Sequence, residues 1–99
     1  MAGESKLQKK CRRSAKYYGV IARKVNSDGE RGWPDLELIF PVNGETVFVE
    51  MKNPNEKGGL SPLQKRVHEK IRKQGATVYV CLSFTHFIKI LECHLGKIK

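Results

Sequence analysis

Apolar positions along this chain repeat at two spacings, and the changes between them mark the elements. Leu7, Cys11, Ala15 and Tyr18 recur as one face of a helix does, which predicts a first helix over Glu4 to Tyr18 with Gly19 as its stop. Val20 to Val25 reads as a short strand, followed by the polar loop Asn26-Ser27-Asp28-Gly29-Glu30-Arg31-Gly32. From Trp33 the period falls to two. Leu36, Leu38 and Phe40 alternate with Asp35, Glu37 and Ile39, and beyond the turn signal Asn43-Gly44, Val47, Val49 and Met51 alternate with Phe48, Glu50 and Lys52. This is the pattern of an antiparallel hairpin. After a second loop, Asn53 to Gly59, the helical period returns over Ser61 to Gln74. Ser61 is the N-cap, Pro62 fits the first turn, and Leu63, Val67 and Ile71 form the buried stripe. Gly75 stops that helix and Thr77 to Leu82 forms a strand. Ser83 then caps a last helix whose stripe is Phe84, Phe87, Ile88, Leu91 and Leu95, ended by Gly96. No internal repeat, low-complexity tract or interdomain linker interrupts the order helix, three strands, helix, strand, helix.

The alternation in the hairpin has a chemical consequence. Side chains two apart on a strand share a face, so Glu50 and Lys52 project together. Asp35 begins one strand while Glu50 and Lys52 end its antiparallel partner, and start and end lie side by side. Two carboxylates and an ammonium therefore meet at one edge of the sheet. Such carboxylates are costly to hold ionised without a cation. A hard ion such as Mg²⁺ binds through one or two carboxylates while keeping waters and phosphate oxygens in its shell. A nearby lysine can orient an attacking water or steady charge on phosphate. Charged residues at strand ends are more often merely solvated. The order Pro-Asp, hairpin, Glu-Met-Lys is what argues against that here.

Charge narrows the partner. The chain has 99 residues, enough for one domain spanning 1–99, and a formal net charge of +9. Such a field suits a polyanion, nucleic acid or an acidic membrane surface, and by itself selects no reaction, since a ribosomal or chromatin protein would share it. Lys9, Lys10, Arg12, Arg13 and Lys16 lie on the polar face of the first helix, and Lys65 and Arg66 on the second. These read as phosphate-tracking surfaces. Arg31 and Ser27 stand at the rim of the acidic edge. Lys57 with Gly58-Gly59 either lets backbone approach a phosphate or simply shapes a turn. Trp33 suits packing over the core edge better than stacking on a base. His68 is expected to be exposed and incidental, and His86 and His94 are given no metal role. The three cysteines, Cys11, Cys81 and Cys93, lack zinc-like spacing and read as reduced thiols. No run is long and apolar enough to span a membrane, and the N-terminus lacks a signal-peptide core. The expectation is a soluble cytoplasmic protein.

Pro34-Asp35 followed by Glu50-Met51-Lys52 matches the PD-(D/E)xK nuclease signature. The flanks resemble one branch of it, the virus-type replication-repair nuclease (VRR-Nuc) family. They share an early helix carrying Glu4, Gly32 ahead of the Pro-Asp, Ser61-Pro62-Leu63-Gln64 opening a helix, and a glycine, Gly75, before a strand. The resemblance covers nearly the whole chain. It implies an α/β fold, a restriction-endonuclease-like αβββαβ core with a central mixed sheet flanked by helices. It implies that Asp35 and Glu50 bind Mg²⁺ or Mn²⁺, with the Met51 backbone carbonyl as a third ligand, and that Lys52 positions the water. Gln64 and Glu4 would assist. Each has a competing reading: Gln64 completes a capping box with Ser61, and Glu4 serves the helix dipole. The implied activity is a DNA endonuclease acting on branched DNA such as a Holliday junction, as a homodimer in a phage or prophage setting. The last helix, with its broad stripe, either supplies that dimer or covers its own core. Two rivals stand beside this: a basic DNA-binding module without catalysis, and an accessory subunit that works only when docked on a larger enzyme.

Overall fold

In the computed structural model the described residues are 5–25, 31–52 and 59–96. Their elements run α1 (Lys6–Tyr17), β1 (Ile21–Lys24), β2 (Leu36–Ile39), β3 (Thr46–Met51), α2 (Pro62–Lys73), β4 (Thr77–Cys81) and α3 (Phe84–Gly96). α1 starts later than the sequence suggests, because the Ser5 hydroxyl accepts the Gln8 N–H at 3.1 Å and so sets the cap. Glu4 precedes that cap and lies outside the described residues.

The four strands form one sheet in the order β1-β2-β3-β4. β1, β2 and β3 pair antiparallel, with Leu36 opposite Val49 and Leu38 opposite Val47. β4 joins β3 in parallel, Glu50 opposite Val80, after the chain crosses over through α2. The sheet is therefore mixed, as expected. Its alternation decides the layers. Leu36, Leu38, Val47, Val49, Met51 and Cys81 turn to one face and bury against Cys11 and Ala15 of α1 and Phe87, Ile90 and Leu91 of α3. On the other face Phe48, Val78 and Trp33 pack with Val67 and Ile71 of α2. Fully burying a side chain such as Phe87, at 0 % exposure, stabilises the fold by about 2–3 kcal/mol.

Three local contacts fix where the acidic edge lies against α2. Arg72 of α2 donates to the Val78 carbonyl at 2.9 Å, which ties the helix to the outer strand β4. Gly32 has φ +85° and lies so close to α2 that a Cβ would sit 3.1 Å from Leu63 Cγ and from Val67 Cγ2. The stretch leading to Asp35 is thus pressed onto that helix. Trp33 meets Phe48 edge to face at 5.7 Å, so it packs as the sequence suggests.

The hairpin connection is wider than a two-residue turn. Phe40 donates to the Glu45 carbonyl at 2.8 Å, Gly44 donates to the Phe40 carbonyl at 3.2 Å, and Asn43 Oδ1 accepts the Glu45 N–H at 3.0 Å. Positive φ falls on Val42 and Gly44, and the side chain of Asn43 supplies the turn bond that the Asn-Gly pair signals. α3 also differs from its simple stripe. Ile90 and His94 are buried along with Phe87 and Leu91, while Phe84, Ile88 and Leu95 pack half-buried against the same core. The helix beds across a wider arc than one ridge because α1 flanks it, with the Lys10 ammonium 4.2 Å from the Phe84 ring centre.

Candidate active site

Asp35 stands immediately before β2 and is held from both sides. Its carbonyl accepts the Val25 N–H at 2.8 Å, and its Oδ2 accepts the Met51 N–H at 2.8 Å. Strand geometry explains the second bond. A strand residue presents its N–H and C=O to the same side, so Met51 turns both toward the β2 side where Asp35 sits. Its side chain meanwhile goes into the core, 8 % exposed. The neighbouring Glu50 points to the α2 face and is only 3 % exposed. Lys52 follows half-buried, its N–H donating to the Cys81 carbonyl at 2.9 Å. Asp35, Glu50, Met51 and Lys52 thus gather where β2 begins and β3 ends.

α2 completes this edge. Ser61 and Gln64 form a full capping box: the Ser61 hydroxyl accepts the Gln64 N–H at 3.1 Å, and Gln64 Oε1 accepts the Ser61 N–H at 2.9 Å. The other end of the same amide, Gln64 Nε2, donates to Glu50 Oε2 at 3.4 Å. One side chain thus completes the capping box and also reaches Glu50, because an amide has an acceptor and a donor pointing apart.

His68 overturns an expectation. It is fully buried, not exposed, and its Nε2 lies 3.5 Å from Glu50 Oε1. Burial pushes its pKa below the ordinary 6.5, and the positive charge of Arg72 adds to this; Asp35 acts in the opposite sense and Lys52 again lowers it. The available signal was its place four residues after Gln64, which puts both on one side of α2. What sequence could not show was that the carboxylate beneath them would be buried.

An all-oxygen set of two carboxylates and a backbone carbonyl suits a hard divalent ion and not a soft one. Among the described residues no three His, Cys, Asp or Glu side chains form a closed metal cage. Two carboxylates at an open edge fit Mg²⁺ or Mn²⁺, which keep waters and take phosphate oxygens as further ligands.

The basic residues divide by position. Lys9, Arg12, Arg13 and Lys16 line a groove of about 630 Å³ between α1 and the start of β1, floored by Gly19 to Ala22. Arg12 is partly engaged there, its Nε 3.4 Å from the Ala22 carbonyl. Lys10 is turned to Phe84 and binds α1 to α3. Arg31, Lys65 and Arg66 are exposed. Lys57 and Ser27, like Glu4, lie outside the described residues. His94 is structural: Tyr79 Oη lies 2.7 Å from its Nε2 and Glu45 Oε1 lies 2.9 Å from its Nδ1, near the hairpin tip.

Comparison with known proteins gives the family. The family model described as the VRR-NUC domain matches residues 2–85. A phage protein named "Putative nuclease p44", from Acyrthosiphon pisum secondary endosymbiont phage 1, is 38 % identical over 77 residues, 78 % of this chain and 80 % of that protein. A solved structure titled VRR_NUC domain superposes with a TM-score of 0.73 at 39 % identity, covering 87 % of this chain and 90 % of its own. The chain that brings Asp35, Glu50 and Lys52 to one sheet edge belongs to the VRR-NUC family.

Proposed function

We propose that this protein is a divalent-metal-dependent endonuclease that hydrolyses DNA phosphodiesters, with a preference for branched DNA such as a four-way junction. The observation that carries the reading is the convergence of Asp35, Glu50 and Lys52 at one sheet edge, with Asp35 fixed by the Met51 amide and Glu50 by Gln64. Asp35 Oδ1, Glu50 and the Met51 carbonyl are the groups that would hold Mg²⁺ or Mn²⁺. When bound, the ion supplies charge neutralisation on the phosphate oxygens and a more acidic water. Lys52 orients the attacking water and steadies charge on phosphate, placing the attack in line with the leaving oxygen. Gln64 keeps Glu50 in place, and Glu4 is assigned an assisting role at the ion. The exposed cations of α1 and α2, with Arg31 and Lys57, follow the phosphate backbone and carry no sequence preference. The family match and its phage relative favour a phage or prophage setting inside a bacterial host.

The test is cleavage of four-way, flap, splayed and linear DNA with and without Mg²⁺ or Mn²⁺. Wild type is expected to cut only with metal, and junctions best. Asp35→Asn and Glu50→Gln should abolish cutting, a loss of at least about 10³-fold, while leaving DNA binding in place. Lys52→Ala should lose cutting and retain most metal binding, since the lysine is not a ligand. Full activity of the Asp35 variant in Mg²⁺ would remove the proposed site. A wild type that binds junctions and cuts nothing in either metal would make it a binding module.

A further inference from the structure

We infer that His68 is a positioning residue for the metal site: from behind Glu50 it holds one carboxylate oxygen while Gln64 holds the other. This rests on the nuclease reading above and adds to it a residue that the Pro-Asp and Glu-Met-Lys signature does not contain.

The geometry carries it. Gln64 and His68 are one helical turn apart on α2, so their side chains stand side by side on one face. Gln64 Nε2 faces Glu50 Oε2 at 3.4 Å and His68 Nε2 faces Glu50 Oε1 at 3.5 Å. Each oxygen of a single buried carboxylate is therefore met by a nitrogen from the same helix. Neither ring nitrogen of His68 completes a hydrogen bond to the described residues, although both are shielded from solvent. A buried polar group in that condition is destabilising, and a leucine would fill the space without that penalty. A histidine at this place makes sense when Glu50 draws on it. At 3.5 Å the pair stands just beyond a good hydrogen bond, and a small shift of the carboxylate closes it.

Burial also decides between ligand and support. An ion that reaches a DNA phosphate must lie on the open side of the site, where Asp35 and Lys52 are half-exposed. His68 is at 0 % exposure, on the shielded side of Glu50. It touches the carboxylate and not the ion. A carboxylate held at both oxygens from one side keeps its remaining lone pairs aimed to the other, which favours ligation through lost freedom of rotation.

The experiment measures Mn²⁺ binding to the full chain without DNA, through the free-ion electron paramagnetic resonance signal, beside thermal unfolding. His68→Leu is expected to weaken Mn²⁺ binding by about tenfold or more with no loss of thermal stability, and His68→Gln, which restores an amide donor, to return it to within about threefold of wild type. A folded leucine variant with wild-type affinity overturns the inference. So does a folded glutamine variant that binds as weakly as the leucine one, since the ring would then matter for shape alone. Should the leucine variant fail to fold, the glutamine variant decides: near-wild-type affinity supports the role and a loss of about tenfold or more refutes it. Asp35→Asn separates the metal site from its support. If it loses Mn²⁺ while His68→Leu does not, the metal site stands and the role of His68 falls. If wild type binds no Mn²⁺, the nuclease reading falls and takes this inference with it.

Discussion

At the scale of single residues, burial sets chemistry more than residue type does. The Cys11 thiol is pushed up to about 12, mainly by burial and further by the neighbouring Cys81, with Lys10 opposing. Cys81 is raised too, again by burial, while hydrogen bonding with the Ser83 backbone acts in the other direction. A raised thiol pKa keeps the reactive thiolate scarce. Cys93 by contrast is exposed. Native protein at pH 8 is therefore expected to release one equivalent of thionitrobenzoate from Ellman's reagent quickly, and denatured protein three. Fast reaction of all three in the native state would contradict the packing of α1 against β4. The same principle accounts for what was hidden at this scale. His68 and Glu50 are both polar, and nothing in their types says that each would be the other's reason for being buried. A pattern of apolar positions is read one element at a time, whereas that pair joins a strand and a helix and lies eighteen residues apart in sequence.

At the scale of elements, the site depends on how the approach to β2 seats on α2. Gly32 is the contact. Gly32→Ala would put a methyl group 3.2 Å from the Leu63 carbonyl and 3.1 Å from two side-chain carbons, at a φ of +85° that L residues rarely adopt. The expected cost is roughly 2–3 kcal/mol, from crowding and backbone strain together. Chemical denaturation measures it, and an unchanged midpoint would mean that this stretch does not press on the helix. Because Asp35 follows three residues later, cleavage should fall further than stability alone explains. Elements were also where the sequence was most legible. The hairpin declared itself through strict alternation, Leu36 and Leu38 against Glu37 and Ile39, because β2 is fully buried on one face and only partly on the other. α2 declared itself through Ser61 and Pro62, since capping is a local event. α3 was read too narrowly. A stripe at helical spacing finds Phe87 and Leu91 and misses Ile90 and His94, whose burial depends on where α1 and Tyr79 lie.

For the whole molecule, the placement of charge matters more than its total. Lys9, Arg13 and Lys16 lie on the α1 side of the sheet and Lys65 and Arg66 on the α2 side, with the acidic edge between the two layers. Affinity for DNA, measured by fluorescence anisotropy without divalent metal, should fall linearly on a log-log salt plot. Neutralising Arg13 and Lys16 to Gln should weaken all sequences alike and reduce the slope by about 2. An unchanged slope would place DNA elsewhere. The proposal of a junction-cutting dimer is also one of whole-molecule geometry, because a junction has two symmetric strands and each chain offers one acidic edge. The apolar stripe of α3 is largely buried within its own fold, while Tyr17, Tyr18 and Ile21 stand exposed beside the basic groove. Sedimentation velocity at micromolar concentration is expected to show a dimer; a clean monomer that nicks both junction arms would remove it. One plainer feature bears on every such measurement. The hairpin tip lies at the opposite end of β3 from Glu50, about 16 Å away at ~3.3 Å per strand residue. Val42 there is 87 % exposed, and Asn43 and Gly44 are exposed beside it. Glu45 must stay, because it holds His94. Asn43 must stay too, because its side chain closes the turn. Val42 is thus a natural handle: a dye or short tag placed there would let the enzyme be watched or tethered while its working end stays clear.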